Sequence, residues 1–465
     1  MAQADEIKAL LAELKQLREE NAKLRAENAE LKARQERTEA MLLEAQRAPK
    51  RQAAPFRREE PKPEKKPPGR PKGHQAAWRP QPEQVDETVV VDPPQGCEHC
   101  GGALIDLRTQ EQFVDELPVM TVHRRRFVTT SGFCPCCKCR THRRHPDQIS
   151  VATGAAGTSI GPNAAAFAVR LRVQLGAPLE KIAAVLQDQF GLRVSAGGLF
   201  GIFSNTAQCL DATYQAIAAA IRSGKVAHVD ETGWWVRSLT NWAWVFANDQ
   251  FTLFVITNSR SHKVALRVLG PNFGGCLVSD CLAVYNVLPY ELKSKCLAHF
   301  LRTLKDIERL QTRGAVNFPR RAIALLKEAI TLAAERATLD ADEFSRRRAN
   351  IGHRIGELLA GKITDSKNLK IANRLRKHQA NLLTFLYQEG VDATNNLAER
   401  QLRPLVLSRK ISAGNKTERG AKVTETLTSV FATCRQQGVD FTAVVLEALK
   451  SWGSLSTLVR WPRDG

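Results

Sequence analysis

The apolar positions between about Asp5 and Gln46 repeat every seven residues. Two heptad positions carry the repeat: Leu10, Leu17, Leu24 and Leu31 at d, and Ile7, Leu14, Asn21 and Asn28 at a. Leucine at d with an interrupted a row favours a parallel two-stranded coiled coil, in which buried asparagines fix the register. The pattern therefore predicts a dimerisation helix over residues 1–47, and hence a homodimer or higher oligomer, rather than a long solvated helix.

From Lys225 onward the pattern changes to short apolar runs that are typical of strands. Lys225–Trp235 reads as a short buried strand, and Gly275–Asp280 as a second one. Aromatic and β-branched residues at Trp242–Phe246 and Phe251–Thr257 flank a turn and predict a hairpin. Strands mixed with helices indicate an α/β sheet with a hairpin at one side.

The remaining periodicity is helical. Residues from about 300 to 388 predict a basic helical insertion in the sheet domain, and residues 416–465 predict a C-terminal helical region. Within residues 160–222, the segment Ala177–Leu210 contains two short helices, with Gly191 ending the first and Ser195 capping the second. This region resembles a DNA-binding helix-turn-helix, although an ordinary helical hairpin gives nearly the same pattern.

Acidic residues at strand ends suggest chemistry. Asp230 stands near the end of the first predicted strand and Asp280 ends the second, while Glu399 follows in a later helix. A carboxylate at the end of a buried strand is costly unless it is paired, hydrogen-bonded or bound to a metal. Hard divalent cations prefer such oxygen ligands. The three acids are therefore the residues that a two-metal phosphoryl-transfer site requires, although Glu399 could also be a surface acid paired with Arg403.

Charge and cysteine content change the picture further. The formal net charge is +20, which favours a polyanionic partner such as DNA. Residues 48–94 form a basic, proline-rich linker in which Arg70 and Lys72 could enter a DNA minor groove, or the linker could simply be solvated. No apolar run is long enough to span a membrane.

Six of the eleven cysteines fall between Cys97 and Cys139. Two CxxC turns within residues 95–147 predict a zinc ribbon with one structural Zn²⁺. The first pair is Cys97 and Cys100; the second is Cys134 with Cys137, which we prefer, or Cys136 with Cys139. His142 and His145 could replace a thiolate.

Together these segments resemble the transposases of the insertion sequence 66 family, which have an Asp-Asp-Glu active site on an RNase-H-like fold. The motifs that carry the resemblance are CxxCGG, HVDETGW, SDCLAVYN, CLAHFLR and NNLAERQLRPLVLSRK. The crowded CPCCKC departs from a simple CxxC. The resemblance extends over nearly the whole chain.

The resemblance implies a multidomain α/β protein. Its RNase-H-like catalytic domain would cover residues 223–415 with the helical insertion, preceded by the coiled coil, the zinc ribbon and the helix-turn-helix-like region. The catalytic acids would be Asp230, Asp280 and Glu399, which bind Mg²⁺ or Mn²⁺. Further DNA contacts are expected from the basic residues Arg400, Arg403, Arg409 and Lys410.

The implied function is a DNA transposase that binds the ends of a mobile element and catalyses metal-dependent strand cleavage and strand transfer into target DNA. We expect it to be cytoplasmic, nucleoid-associated and bacterial. An alternative is a dimeric zinc-containing DNA-binding regulator with an inactive nuclease fold. A third possibility, a nuclease that only cleaves, gives the same sequence pattern.

Overall fold

The computed structural model describes residues 20–21, 24, 27–28, 80–117, 121–142, 145, 147–148 and 159–450. The chain divides into two compact units, Met1–Pro118 and Val119–Gly465. Of the predicted coiled coil, the five described residues are helical and exposed, and the other heptad positions lie outside the described residues. Arg70 and Lys72 of the linker also lie outside them.

In the first unit, residues 80–117 are largely exposed, and their defined feature is a turn that begins at Cys97. The Gly101 N–H donates to the Cys97 carbonyl at 2.8 Å, and the Cys97 N–H donates to the Gly102 carbonyl at 2.9 Å. Gly101 has a φ of 71°, which glycine adopts without steric cost. Cys97 and Cys100 are thereby held at the two ends of one tight turn.

The second unit begins with a small antiparallel hairpin formed by β1 (Ser131–Phe133) and β2 (Arg140–His142). The turn between them begins at Cys134, whose N–H donates to the Cys139 carbonyl at 2.9 Å. Lys138, four residues after Cys134, has a φ of 55°. The turns at Cys134 and Cys97 are therefore alike: each is closed by the same type of backbone hydrogen bond, and each has a left-handed residue at the same position.

A five-stranded sheet forms the centre of the second unit. Its strands are β3 (Val226–Val236), β4 (Leu239–Ala247), β5 (Thr252–Thr257), β6 (Cys276–Ser279) and β7 (Lys293–Lys295). The order across the sheet is β5-β4-β3-β6-β7. β3, β4 and β5 pair antiparallel, whereas β6 and β7 pair parallel to β3 and to each other. β3 and β6, the first and fourth strands of the sheet in chain order, are thus neighbours.

Helices surround this sheet. Those before and within it are α1 (Pro162–Leu175), α2 (Leu179–Phe190), α3 (Ala196–Cys209), α4 (Asp211–Ser223), α5 (His262–Leu269) and α6 (Ala283–Asn286). The helices after it are α7 (Leu297–Leu310), α8 (Asn317–Ala334), α9 (Ala341–Ala360), α10 (Ser366–Lys377), α11 (Gln379–Leu382), α12 (Thr384–Tyr387), α13 (Asn396–Ser412), α14 (Glu418–Gln437) and α15 (Phe441–Lys450). Among the described residues, no helix is both long and apolar enough to cross a membrane.

The two faces of the sheet contribute to different hydrophobic cores because strand side chains alternate. Ala227, Val229 and Trp244 face the larger core, which α1–α5, α14 and α15 complete. Ala243 and Val245 face a smaller core that receives α13. The region with the predicted helix-turn-helix therefore packs into the same core as the sheet. Gly191 ends α2 and the Ser195 hydroxyl caps α3, as predicted, while a DNA-binding role stays a prediction.

β3 covers nearly the range Lys225–Trp235 that the sequence predicts, and it continues into β4 through a turn at Arg237 and Ser238, both with positive φ. Asp230, expected near the end of this strand, lies in its middle. β7 ends at Lys295, because α7 already begins at Leu297. The end of a strand depends on its partners, which a local pattern does not show.

The helices α7–α12 form a hydrophobic core of their own between β7 and α13. The two ends of this insertion are joined at a narrow neck. There the Leu297 N–H donates to the Ala393 carbonyl at 2.9 Å, and the Asn395 N–H donates to the Cys296 thiol at 3.1 Å. The chain therefore leaves the sheet and returns to it at one place.

α13 runs to Ser412 with Pro404 inside it, although proline disfavours the interior of a helix. Proline has no N–H, so the Arg400 carbonyl loses its usual helical donor. Leu402 and Leu405 are buried against the sheet on either side of the proline, and we attribute the continued helix to this packing.

Candidate active site

The register of β3 and β6 places two aspartates side by side. The parallel pairing of these strands ends at His228 opposite Val278. Asp230 and Asp280 each lie two residues beyond that pair. Because side chains two residues apart share a face, both carboxylates are expected to point to the same side of the sheet. The missing strand partner beyond Ser279 leaves this edge of β3 open.

Backbone amides and a buried lysine hold the two aspartates. Asp230 Oδ1 accepts the Glu231 N–H at 2.9 Å, and Asp280 Oδ1 accepts the Leu282 N–H at 2.8 Å. Lys295 is 1% exposed, and its ammonium donates to the Ser279 hydroxyl and to the Asp280 carbonyl. Burial lowers the pKa of Lys295 to about 8. Lys295 thereby fixes the backbone at the end of β6.

Glu399 approaches the aspartates from the first turn of α13. Its Oε1 atom lies 3.8 Å from Nε2 of His299, at the start of α7. This oxygen is buried and has no hydrogen-bond partner in the described part of the chain. A buried, unpaired carboxylate oxygen is costly, and in proteins such an atom usually contacts a cation or an ordered water.

Electrostatic repulsion shows that the three acids share one region. The pKa of Asp230 is raised to about 7, chiefly by burial and then by the neighbouring charge of Glu231. The charges of Asp280 and Glu399 raise it further. Such interactions act over short distances in a protein interior, so Asp230 lies among the other acids. Without a cation the cluster is strained by its own charge.

Asn395 connects the helix of Glu399 to the strand of Asp230. Its side-chain amide donates to the Val229 carbonyl at 2.9 Å, and its Oδ1 lies 3.2 Å from Nδ1 of His228. Asn395 is 1% exposed. Asn395 directly precedes α13 at the capping position, but its side chain makes no capping bond. It instead fixes the start of α13 against β3.

Glu231 has a separate role from the other acids. Its carboxylate accepts hydrogen bonds from Arg260, at 2.9 and 3.1 Å, and from the buried Tyr285 hydroxyl. Arg260 also stacks over the Trp242 ring at 4.3 Å. Because strand side chains alternate, Glu231 faces away from Asp230. This network supports the sheet behind the aspartates.

The predicted DNA-binding arginines on α13 have different environments. Arg400 and Arg403 are exposed, close to Glu399 in sequence. Arg409 is half-buried, and its guanidinium donates to the Gly233 carbonyl and to the Thr232 hydroxyl at 3.2 Å. Burial lowers the pKa of Arg409. Lys410 is half-buried. Arg400 and Arg403 are thus the two exposed members of this group, and Arg409 is bound to the backbone of β3.

Sequence reasoning did not assign several of these residues to the site. Cys296 and His299 both lie beside Glu399, and neither is among the candidate site residues that the sequence indicated. The CxxH spacing, which places both side chains at the first turn of one helix, was the available signal. Lys295, Asn395 and Tyr285 gave no such signal because their partners are distant in the chain.

Comparison with known proteins identifies the class. Residues 157–423, more than half of the chain and including all three acids, match the family model described as "Transposase IS66 family". The chain is therefore a transposase by class. It belongs to the IS66 family, which confirms the resemblance seen in its motifs. It is also 23% identical over 417 residues to the "Uncharacterized protein y4jD" of Sinorhizobium fredii (strain NBRC 101917 / NGR234), covering 80% of this chain and 79% of that protein.

Proposed function

We propose that this protein is an Asp-Asp-Glu DNA transposase, with Asp230, Asp280 and Glu399 as its catalytic acids. The observation that carries the proposal is the register of β3 and β6, which sets Asp230 beside Asp280, with Glu399 close enough to raise the pKa of Asp230. The strand order, with the first and fourth strands adjacent, supports an RNase-H-like catalytic domain. The substrate would be DNA at the ends of the mobile element, followed by target DNA.

The acid cluster suits Mg²⁺ or Mn²⁺. Its donors are carboxylate oxygens, which these cations prefer, and one of them, Glu399 Oε1, is buried without a partner. Asp230, Asp280 and Glu399 would hold the ions. The chemistry that two such ions supply is activation of the attacking oxygen and stabilisation of the leaving one.

The residues around the acids would position the DNA and the helix. Asn395 holds the first turn of α13 on β3 and so fixes the approach of Glu399. Arg400 and Arg403 are exposed near the acids and would bind phosphates of the scissile strand. In strand transfer the 3′-OH released by cleavage attacks a phosphodiester of the target. No covalent enzyme intermediate is needed for either step.

Zinc and further DNA contacts complete the proposal. The turns at Cys97 and Cys134 have the same closing bond and a left-handed residue at the same place. This likeness supports Cys97, Cys100, Cys134 and Cys137 as the ligands of one structural Zn²⁺. The basic residues Arg70 and Lys72, with Arg409 and Lys410, remain proposed DNA contacts. We also propose that α2 and α3 bind DNA as a helix-turn-helix.

The test replaces Glu399 by glutamine in the full chain. Glu399→Gln should reduce Mg²⁺-dependent cleavage of a plasmid carrying the element ends by at least about 100-fold, because removing a ligand costs more than the 10–100-fold of an outer-shell change. End binding should stay unchanged, and circular dichroism should show that the variant is folded.

The matched control is Glu389→Gln, an exposed acid ten residues earlier, which should cleave like wild type. Normal cleavage by Glu399→Gln would contradict the assignment. Normal end binding by a wild-type protein that never cleaves would favour the alternative of a DNA-binding regulator. Cleavage without joined products would indicate a nuclease.

A further inference from the structure

A cysteine, a histidine and a glutamate meet at the neck of the insertion. Cys296, His299 and Glu399 each offer one ligand atom, and these atoms all lie within 4.8 Å of one another. Among the described residues, no other group of three or more His, Cys, Asp or Glu side chains has ligand atoms this close together. The aspartates are outside this group.

The backbone holds the three side chains in place. Cys296 directly precedes α7 and His299 lies in its first turn, so the spacing of three residues brings both to the same end of the helix. The Cys296 thiol also accepts the Asn395 N–H at 3.1 Å. The same Asn395 begins α13, whose first turn carries Glu399. One contact thus sets the spacing between the two helix starts.

Two buried polar atoms at this place have no hydrogen-bond partner among the described residues. They are Nδ1 of His299 and Oε1 of Glu399. The 3.8 Å between His299 Nε2 and Glu399 Oε1 is too long for a hydrogen bond. It is close to the roughly 3.4 Å that separates two ligands at about 2.0–2.1 Å from one tetrahedral ion. The orphaned Oε1 of Glu399 and its separation from Nε2 of His299 point to a bound cation.

The donor set is different from that of the aspartates. A thiol, an imidazole and a carboxylate form a mixed site, and thiolate and imidazole ligands favour Zn²⁺ or Co²⁺ over Mg²⁺. A thiolate and a carboxylate together also neutralise a divalent ion, which lowers the cost of burying it. Three protein ligands leave one tetrahedral position open.

We infer that Cys296, His299 and Glu399 form a second transition-metal site that binds Zn²⁺. It is separate from the N-terminal cysteines and shares Glu399 with the proposed catalytic acids. The consequence for activity rests on the proposed function: Zn²⁺ at this site withdraws Glu399 from Asp230 and Asp280, and so it inhibits Mg²⁺-dependent cleavage.

The experiment counts bound zinc. The full chain and its variants are dialysed against buffered free Zn²⁺, and the zinc bound per chain is measured by elemental mass spectrometry. Wild type should hold one more zinc per chain than Cys296→Ser or His299→Gln. Any zinc bound by the N-terminal cysteines is the same in all three proteins and cancels in the comparison. Serine can still accept the Asn395 N–H, and His299 is half-buried, so at least one variant should fold.

Cys281→Ser is the matched control. Cys281 is a half-buried thiol beside Asp280 but outside the three-residue group, and its replacement should leave the zinc content of wild type. Equal zinc in wild type, Cys296→Ser and His299→Gln overturns the site, whether or not the protein cleaves DNA.

The second measurement adds Zn²⁺ to Mg²⁺-supported cleavage. Wild type should lose activity, and His299→Gln, compared with its own zinc-free rate, should need at least about 10-fold more Zn²⁺ for the same loss. Equal inhibition of both proteins overturns the inhibitory role. A wild type that never cleaves in Mg²⁺ contradicts the proposed function, while the zinc count still decides the site.

Discussion

At the scale of single residues, Asp230 shows how the site stores electrostatic strain. Burial raises the pKa of its carboxyl to about 7, with further contributions from the charges of Glu231, Asp280 and Glu399. The unfolded chain has the ordinary Asp pKa of 3.8. Between these two values the folded protein binds more protons than the unfolded chain, so the stability contributed by this group falls as pH rises. Strain of this kind is typical of functional sites.

Replacing Asp230 should therefore change the pH dependence of stability in Mg²⁺-free buffer. Asp230→Asn should have little effect at pH 4 but should increase the free energy of unfolding at pH 8, by up to about 4 kcal/mol, because a tenfold change in protonation corresponds to about 1.4 kcal/mol. Urea unfolding at several pH values measures this. The control is Asp249→Asn, an exposed turn acid. If the free energies of unfolding of Asp230→Asn and wild type differ by the same amount at every pH, Asp230 does not carry this electrostatic strain.

The same residues show the limit of sequence reasoning. Asp230 and Asp280 were found because an acid in an apolar run is visible locally. The role of Asn395 was not, since its partners His228 and Val229 lie more than 160 residues away. A local pattern suggested a helix cap, and tertiary contacts used the side chain otherwise.

At the scale of elements, the two cysteine turns are alike in backbone. Residue i donates to the carbonyl of residue i+5, and residue i+4 is left-handed, for i equal to 97 and 134. Backbone amides also lower the pKa of the thiols Cys97 and Cys134, with the amides of His99 and Cys137 contributing most. Amides aimed at a thiol favour the thiolate that a metal requires.

This likeness predicts which cysteines of the crowded segment bind zinc. Cys134→Ser should lower the zinc content by one per chain and destabilise the ribbon, because metal binding supplies much of the folding energy of such modules. Cys136→Ser, two residues away, is the control and should keep its zinc. The reverse result would assign the site to Cys136 and Cys139.

Other elements were predicted in kind but not in extent. The helical character of α13 followed from its sequence, whereas its continuation past Pro404 depends on Leu402 and Leu405 packing on the sheet. The length of β3 depends on β4, which pairs with it as far as Val236. Periodicity indicates the type of an element, and its ends are decided by neighbours that come from elsewhere in the chain.

At the scale of the whole molecule, the heptads before Pro49 stand apart from the sheet domain in sequence. Their leucine repeat predicts a parallel homodimer, while the three proposed catalytic acids all lie in the second unit. Self-association and catalysis should therefore depend on different parts of the chain.

Deleting residues 1–48 tests this separation. The shortened chain should sediment as a smaller species than the full chain at the same concentration, while its circular dichroism and unfolding temperature stay near those of the full chain. A variant with Leu10, Leu17 and Leu24 changed to serine is the control for deletion effects. The same oligomer in all three proteins would exclude the coiled coil as the main dimer contact.

The neck at Cys296 and Asn395 has a consequence for chain entropy. The cost of closing a flexible loop grows only with the logarithm of its length, by about 0.6 kcal/mol for each doubling. Between these two residues, the chain departs and returns through adjacent hydrogen bonds. The insertion could lengthen or shorten considerably at little thermodynamic cost, provided that its ends stay joined and the third acid returns to the same place.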